Sequence, residues 1–322
     1  MSAMPTVVAR RGQLVEARHP FAYAVADASG ALLRTAGRIA PTPWRSAAKP
    51  FQLEVSLGCL PEQQAEVLMR EPALLAIAAA SHSAEPGHID HVDRLLALLQ
   101  LPLDALRCGT HRPMSVEAAD AWLRSGRSFD DRHNNCSGKH ALMAAAARAL
   151  CADHDYRPAE HPLQRRIHAL LETLVGAPVD HGIDGCGVPT FGLDVIGMAR
   201  AFAALARPAN PLRAAVAAAV AQHPWLVSGT ARLDHRLAER ANEPWIGKIG
   251  ALGVFCIALP ARGLGVALKI ESGGTDALGA AIEAVIAEVA PGALRAVAGE
   301  WEPLLIRNVV GVPVGSYRAT LD

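Results

Sequence analysis

Ser46 and Lys49 stand three residues apart in Arg45-Ser46-Ala47-Ala48-Lys49-Pro50, and a hydroxyl beside an amine is the minimal kit for nucleophilic acyl transfer. If Ala47 and Ala48 lie in the first turn of a helix, the two side chains project from one face. A lysine takes a hydroxyl proton only when neutral, and its ordinary pKa is about 10.4; lowering it to about 7 requires ~4.6 kcal/mol at 1.36 per unit. Burial or a second cation must supply that energy. Taken alone, the string reads more readily as a helix cap followed by a solvated lysine.

Other residue types with chemistry are scattered more widely. The six cysteines (Cys59, Cys108, Cys136, Cys151, Cys186, Cys256) form no Cys-x-x-Cys pair, which argues against a disulfide framework or a zinc ribbon. Most are expected to be small core residues. Among 13 histidines, His88-Ile-Asp-His91 sits in an amphipathic pattern and reads as a solvated helix face rather than a metal site.

The elements that must position these groups follow from composition and periodicity. The 322 residues suffice for one large domain or two closely packed ones, and aromatics are only 4%, so the core is built from Ala, Leu and Val. Lys plus Arg and Asp plus Glu are both 31, which leaves no basic footprint for nucleic acid and points to a small substrate. No apolar run approaches the roughly 18 residues of a membrane span. The first residues lack a signal-peptide apolar region, so a cytoplasmic protein is expected.

Residues 6–40 alternate in short runs that read as strands, with a turn at Asp27-Ala-Ser-Gly30. Helical periodicity then covers 46–58, 61–80, 86–99, 115–125, 138–152, 162–175, 193–205 and 211–222. Strands return at 250–259 and 264–270, joined by Pro-Ala-Arg-Gly, and Thr275 is placed to cap a last helix. Strands at both ends and helices between them predict an α+β fold: one antiparallel sheet built from both chain ends, with flanking helices and an inserted helical subdomain. The limits expected are 1–60 with 225–322 for the sheet part and 61–224 for the inserted lobe, in a single compact unit.

This order resembles serine β-lactamases, in which an N-terminal hairpin leads to a Ser-x-x-Lys helix and a later strand begins with Lys-(Thr/Ser)-Gly. Gly247-Lys248-Ile249-Gly250 occupies the corresponding place, with Ile249 where the hydroxyl residue stands. A more specific resemblance runs along nearly the whole chain. Arg45-Ser-Ala-Ala-Lys-Pro50, Ala79-Ala-Ser-His-Ser-Ala-Glu85, Arg107-Cys-Gly109, Asn135-Cys-Ser-Gly-Lys-His140, Asp184-Gly-Cys186 with Pro189-Thr190, Gly247-Lys-Ile-Gly-Ala251 and Ala267-Leu-Lys-Ile-Glu271 appear in the order of the rhizobial-type (class 3) L-asparaginases.

The resemblance implies a serine β-lactamase/glutaminase-like fold, a homodimer, and hydrolysis of L-asparagine to L-aspartate and ammonia. Carried over residue by residue, it implies two catalytic pairs, Ser46 with Lys49 and Ser81 with Lys248. Lys248 would keep Lys49 partly neutral and help protonate the departing ammonia, through Ser81. Arg45, His140 and Asp184 fall at substrate-contacting positions, and Arg45 and Asp184 carry the opposite charges that a zwitterion requires. Cys136, Lys139 and Cys186 match a zinc site, although lysine is a poor ligand until it loses its proton; His133 is not expected to join it. His82 and Glu85 are candidates to orient the second pair. Ala84 and Leu252 depart from the Gly and polar residue common at those places. Two alternatives stand beside this reading: a glutaminase or other Ser-Lys acyl hydrolase, since one methylene changes binding by only about 1–3 kcal/mol, and a non-catalytic zinc or amino-acid binding protein.

Overall fold

The computed structural model describes residues 4–296 and 301–321; residues 1–3, 297–300 and 322 of the segments expected at 1–60 and 225–322 lie outside the described residues. In chain order the strands and helices are β1 (Thr6–Arg11), β2 (Leu14–Asp27), β3 (Leu32–Ala36), β4 (Thr42–Pro43), α1 (Lys49–Gly58), α2 (Glu62–Met69), α3 (Pro72–Ala78), α4 (Pro86–Leu98), α5 (Val116–Arg124), α6 (Ser137–Ala149) and α7 (Pro162–Val175). They continue as β5 (Asp180–Ile183), β6 (Pro189–Leu193), α8 (Val195–Ala206), α9 (Pro211–Gln222), α10 (Pro224–Val227), α11 (Leu233–Arg240), β7 (Ile246–Gly250), β8 (Val254–Leu259), β9 (Leu264–Ile270), α12 (Leu278–Val289), β10 (Leu305–Arg307) and β11 (Pro313–Thr320). The chain divides into a sheet unit (1–47, 192–207, 237–322) and a helical unit (48–191, 208–236). Relative to the expected limits, α1 and residues 225–236 join the helical unit, and α8 joins the sheet unit.

The main sheet of the sheet unit is antiparallel, in the order β10-β11-β1-β2-β9-β8-β7 with β3 also on β2, and β4 pairs separately with β6. Both chain ends build it, because β1 pairs with β11 from Thr6↔Thr320 to Arg11↔Gly315. The long β2 serves two neighbours along one edge, β1 with its first half and β3 with its second, while β9 takes the opposite edge of Phe21–Asp27. Phe21–Ala26 is buried without alternation, as expected of a strand covered on both faces. Helices α8 and α12 both pack on this sheet. Gly265 of β9 is required by α8: a Cβ there would sit 2.1 Å from Ala199 O.

The sequence reading differs from this unit in three places. Strands β10 and β11 went unread, since Pro313-Val-Gly-Ser-Tyr-Arg-Ala-Thr320 is half-buried and alternates weakly. The strand expected at 250–259 starts at Val254, because Gly250 ends β7 and Ala251–Gly253 forms the turn of the β7–β8 hairpin, with Leu252 and Gly253 both at positive φ. Thr275 opens a 3-10 turn rather than capping α12, whose N-cap is Ala277.

In the helical unit α1 packs on α6, α7 and α9. It carries a buried acid: Glu54 takes a bidentate pair from Arg213, Nε to Oε2 at 2.8 Å and Nη2 to Oε1 at 3.0 Å, and Asn210 Nδ2 donates to Oε1 at 3.0 Å. Both charged side chains are 7% exposed. The first turn of α6 lies against the end of α3, where a Cβ on Gly138 would meet Ile77 O at 2.2 Å. The helix expected over 61–80 is two helices, α2 and α3, because Pro72 starts a new one. The expectation of a solvated face at His88 is corrected: its side chain is fully buried, with Nδ1 accepting from Glu85 N and Nε2 donating to Trp225 O. The periodic pattern marked the apolar face of α4, but the N-terminal turn of that helix is itself covered.

Glu54→Ala leaves the Arg213 guanidinium buried without its counter-charge. Equilibrium denaturation of this variant is expected to show a loss of about 3–5 kcal/mol.

Candidate active site

The helical unit brings Lys49, Ser81, Cys136, Lys139, His140 and Cys186 into one buried cluster. Lys49 is the first residue of α1 and is 1% exposed. Its Nζ lies 2.8 Å from Ser81 Oγ, donates to Ala80 O, and reaches Asn135 O at 3.4 Å. These three partners satisfy either protonation state. An ammonium donates to all three, whereas a neutral amine gives its two hydrogens to the carbonyls and turns its lone pair to the Ser81 hydroxyl. Burial pushes the Lys49 pKa down and Lys139 adds repulsion, against the opposing pull of Cys136 and Cys186. The amine is therefore moved toward the form that a base requires.

Ser81 stands just beyond the C-terminal end of α3, in a loop tied to residues 227–230. Ser81 N donates to Val227 O at 2.8 Å, Ser83 Oγ to Ser228 O at 2.9 Å, and Thr230 N to Glu85 Oε1 at 2.8 Å. Glu85 and His88 form the capping box of α4. His82 accepts from Ala84 N on Nδ1 and bonds Ser137 Oγ through Nε2 at 2.8 Å, joining the loop to the start of α6. Ala84 adopts φ +55, where glycine is at ease and a Cβ is strained.

Cys136 precedes α6, and Lys139 and His140 follow in its first turn. Lys139 Nζ donates to Cys186 Sγ at 3.1 Å. A hydrogen bond from Cys186, helped by the charges of Lys49 and Lys139, pulls the Cys136 thiol well below its usual range. The same hydrogen bond and burial push Cys186 up, so the shared proton stays on Cys186. Lys139 is raised despite burial, because Cys186 and Cys136 favour its ammonium, with a contribution from Asp184. Asp184 is half-buried at the end of β5, its Oδ1 accepting from Gly185 N at 2.6 Å. His140 Nδ1 lies 3.0 Å from Tyr156 Oη, while its Nε2 is buried with no partner among the described residues.

Two thiols and an amine in mutual contact are a donor set that suits a zinc ion once Lys139 gives up its proton. No group of three or more His, Cys, Asp or Glu side chains with metal-holding potential occurs among the described residues.

The sheet unit holds Arg45, Ser46 and Lys248. Arg45–Ala48 is a 3-10 turn that runs directly into α1, and Ser46 is half-buried within it. Trp44 fixes the turn's entry: its Nε1 donates to Cys256 Sγ at 3.3 Å, and its carbonyl lies where a Cβ on Gly250 would sit, 2.7 Å away. Cys256 is the cross-strand partner of Lys248 on β7, and Lys248 is fully buried. Ser46 thus leaves a tryptophan that is clamped to the very hairpin carrying Lys248. Arg45 sits at φ +55, a strained conformation directly before the serine.

The functional neighbours that sequence reasoning did not single out are Tyr156, Ser137 and the carbonyls of Ala80 and Asn135. Ser137 lies inside a quoted motif, but Tyr156 comes from a polar loop with no pattern to mark it. Three buried histidines, His82, His88 and His140, have pKa values pushed down, first of all by burial. The unfolded chain therefore binds protons first as pH falls through about 6.5, and stability present above that pH is lost below it, at up to about 1.4 kcal/mol per histidine per pH unit. Thermal melts between pH 7.5 and 5 are expected to show this decline, with a shallower slope for His140→Gln.

The sequence pattern of the family described as L-asparaginase II matches residues 7–319. Among solved structures the chain is similar to a β-lactamase from Mycobacterium bovis, at 18% identity and a TM-score of 0.46 over 83% of this chain and 94% of that one. It is also similar to Mglu in its native form, at 14% identity and a TM-score of 0.46 over 89% of this chain and 68% of that one. No curated protein sequence matches the chain.

Proposed function

This chain belongs to the L-asparaginase II family and is an amidohydrolase with a small-molecule substrate, and we propose that it hydrolyses L-asparagine to L-aspartate and ammonia through an acyl-enzyme on Ser46. The observation that carries this reading is the buried Lys49 amine, lowered in pKa and three residues after the half-buried Ser46. Family membership sets aside the non-catalytic alternative.

The step sequence follows from these groups. Neutral Lys49 takes the Ser46 proton as Oγ adds to the side-chain amide carbon, and the carbonyl π pair moves onto oxygen. The lysine then returns a proton to the amide nitrogen by way of the Ser81 hydroxyl, the C–N bond breaks, and ammonia leaves. Water adds to the ester, its proton passes to Lys49, and the Ser46 oxygen departs with that proton, releasing L-aspartate. Lys139 contributes a positive charge that favours neutral Lys49, and the same reading assigns Lys248 to Ser81 as its pair. Arg45 receives the substrate carboxylate and Asp184 its ammonium; the unpartnered Nε2 of His140 is an open hydrogen-bonding position for substrate.

Ser46 is preferred as nucleophile because it is half-buried, whereas Ser81 is 3% exposed. The short Lys49–Ser81 distance favours a second reading in which Ser81 is acylated. Slowed variants incubated with L-asparagine and mapped by peptide mass spectrometry decide between them: a +aspartyl adduct is expected on the Ser46 peptide, and an adduct confined to the Ser81 peptide reverses the assignment. Ser46→Ala and Lys49→Ala are each expected to lower ammonia release by at least about a thousandfold. Parallel kinetics with L-glutamine test the one-methylene alternative.

Cys136, Lys139 and Cys186 are the residues that would hold zinc, and bound zinc supplies Lewis-acid polarisation and fixed positive charge. Elemental analysis of the purified protein is expected to find zinc in the wild type and its loss in Cys136→Ser and Cys186→Ser. Zinc that persists in both variants would remove these residues from the metal site. The same reading includes a cytoplasmic homodimer, which sedimentation of the purified chain and cell fractionation check.

A further inference from the structure

The ring of His140 has a single polar partner among the described residues. It is fully buried in the first turn of α6; its Nδ1 lies 3.0 Å from Tyr156 Oη, and its Nε2 meets no hydrogen-bonding group there. The last torsion of a histidine is broad and two-fold, and turning the ring over puts a carbon where each nitrogen stood. Packing alone barely distinguishes the two orientations. The Tyr156 hydroxyl does, because in the turned-over ring it would face a C–H.

Tyr156 is fully buried and is itself held from several sides. Arg107 N donates to its Oη at 3.0 Å, Ala105 O lies 3.4 Å from the same oxygen, and Gln164 Nε2 donates to its carbonyl at 2.7 Å. The loop that delivers it is pinned by its own carboxylates. Asp155 Oδ1 accepts from Arg157 N at 3.2 Å and from Arg157 Nε at 2.7 Å, and Asp153 Oδ1 accepts from Asp155 N at 2.8 Å. Burial pushes the Tyr156 pKa up, so the phenol keeps its proton.

The hydroxyl serves His140 in either tautomer. With the ring proton on Nε2 it donates to Nδ1; with the proton on Nδ1 it accepts that N–H and turns its own hydrogen to Ala105 O. Both arrangements leave the ring in one orientation. We propose that Tyr156 is a positioning residue for amide hydrolysis: its hydroxyl ties the His140 ring to the backbone of residues 105–107 and thereby holds Nε2 where the substrate meets it. Tyr156 touches no reacting atom; it acts through His140, which contacts the substrate in the asparaginase reading on which this role rests.

Two measurements on the full chain test the role. In protein carrying histidine labelled with 13C at Cε1, the His140 signal, assigned by its loss in His140→Gln, is expected as one sharp line in the wild type. In Tyr156→Phe it is split or broadened by exchange. Kinetically, Tyr156→Phe lowers kcat/KM for ammonia release from L-asparagine about ten- to a hundredfold. His140→Ala lowers it at least as far, and the double variant matches His140→Ala to within about twofold. Installing 4-aminophenylalanine at position 156 returns a hydrogen-bonding group to the same place on the ring. It recovers most of the loss, and it substitutes for Tyr156→Phe should thermal melting show that variant unfolded. A single sharp His140 line in Tyr156→Phe, an unchanged kcat/KM, or losses that multiply in the double variant each overturns the role. A wild type that releases no ammonia from L-asparagine overturns the asparaginase reading instead, and the His140 line then decides by itself whether Tyr156 orients the ring.

Discussion

The burial of one amine is the constraint around which the helical unit is arranged. Lys49 is out of contact with water, and a buried ammonium is costly unless every hydrogen finds an acceptor. The acceptors come from separate stretches: the carbonyl of Ala80 and the hydroxyl of Ser81 after α3, and the carbonyl of Asn135 before α6. Each must arrive within hydrogen-bond distance, so the surrounding contacts are close and polar. Gly138 lets α6 approach the Ile77 carbonyl, and Glu54 with Arg213 holds α1 to α9.

The electrostatics of the cluster are a competition between two lysines and two thiols. If both amines stayed charged, their repulsion would add to the desolvation cost, and the structure separates their fates. Lys139 lies against Cys186 and is held as the ammonium, whereas burial outweighs the pull of Cys136 on Lys49, which also contacts two carbonyls and a hydroxyl, and pushes it toward neutrality. Two residues of the same type thus acquire different acid–base behaviour from their neighbours alone, as a proton-transfer group beside a charge-holding group requires.

Backbone strain falls where the chain departs from ease for a reason. Six non-glycine residues among those described have positive φ; Arg45 stands before Ser46, Ala84 in the loop after Ser81 and Leu252 in the hairpin turn following Lys248, while Gln100, Cys151 and Ala231 lie elsewhere. Ala84 and Leu252 are also the positions at which this sequence departs from the residues common in the family it resembles. For Ala84 the departure has a local consequence: a methyl in a left-handed conformation, buried, forming part of a cavity wall.

Much of the architecture was legible in the sequence. The Ser-x-x-Lys string, the spaced motifs and the apolar run Phe21–Ala26 are local signals, and strand-rich ends around a helical middle dictate a sheet closed by both termini. The helix break at Pro72 was masked by the apolar pattern on either side, which runs through it. What the sequence could not contain was the identity of neighbours. That Lys49 meets Ser81 across 32 residues, that His88 is covered by Trp225, and that His140 keeps one ring nitrogen unanswered are facts of packing. Residue type and spacing determine which groups can do chemistry; only the tertiary fold decides which are buried, and burial sets the charge that each one carries.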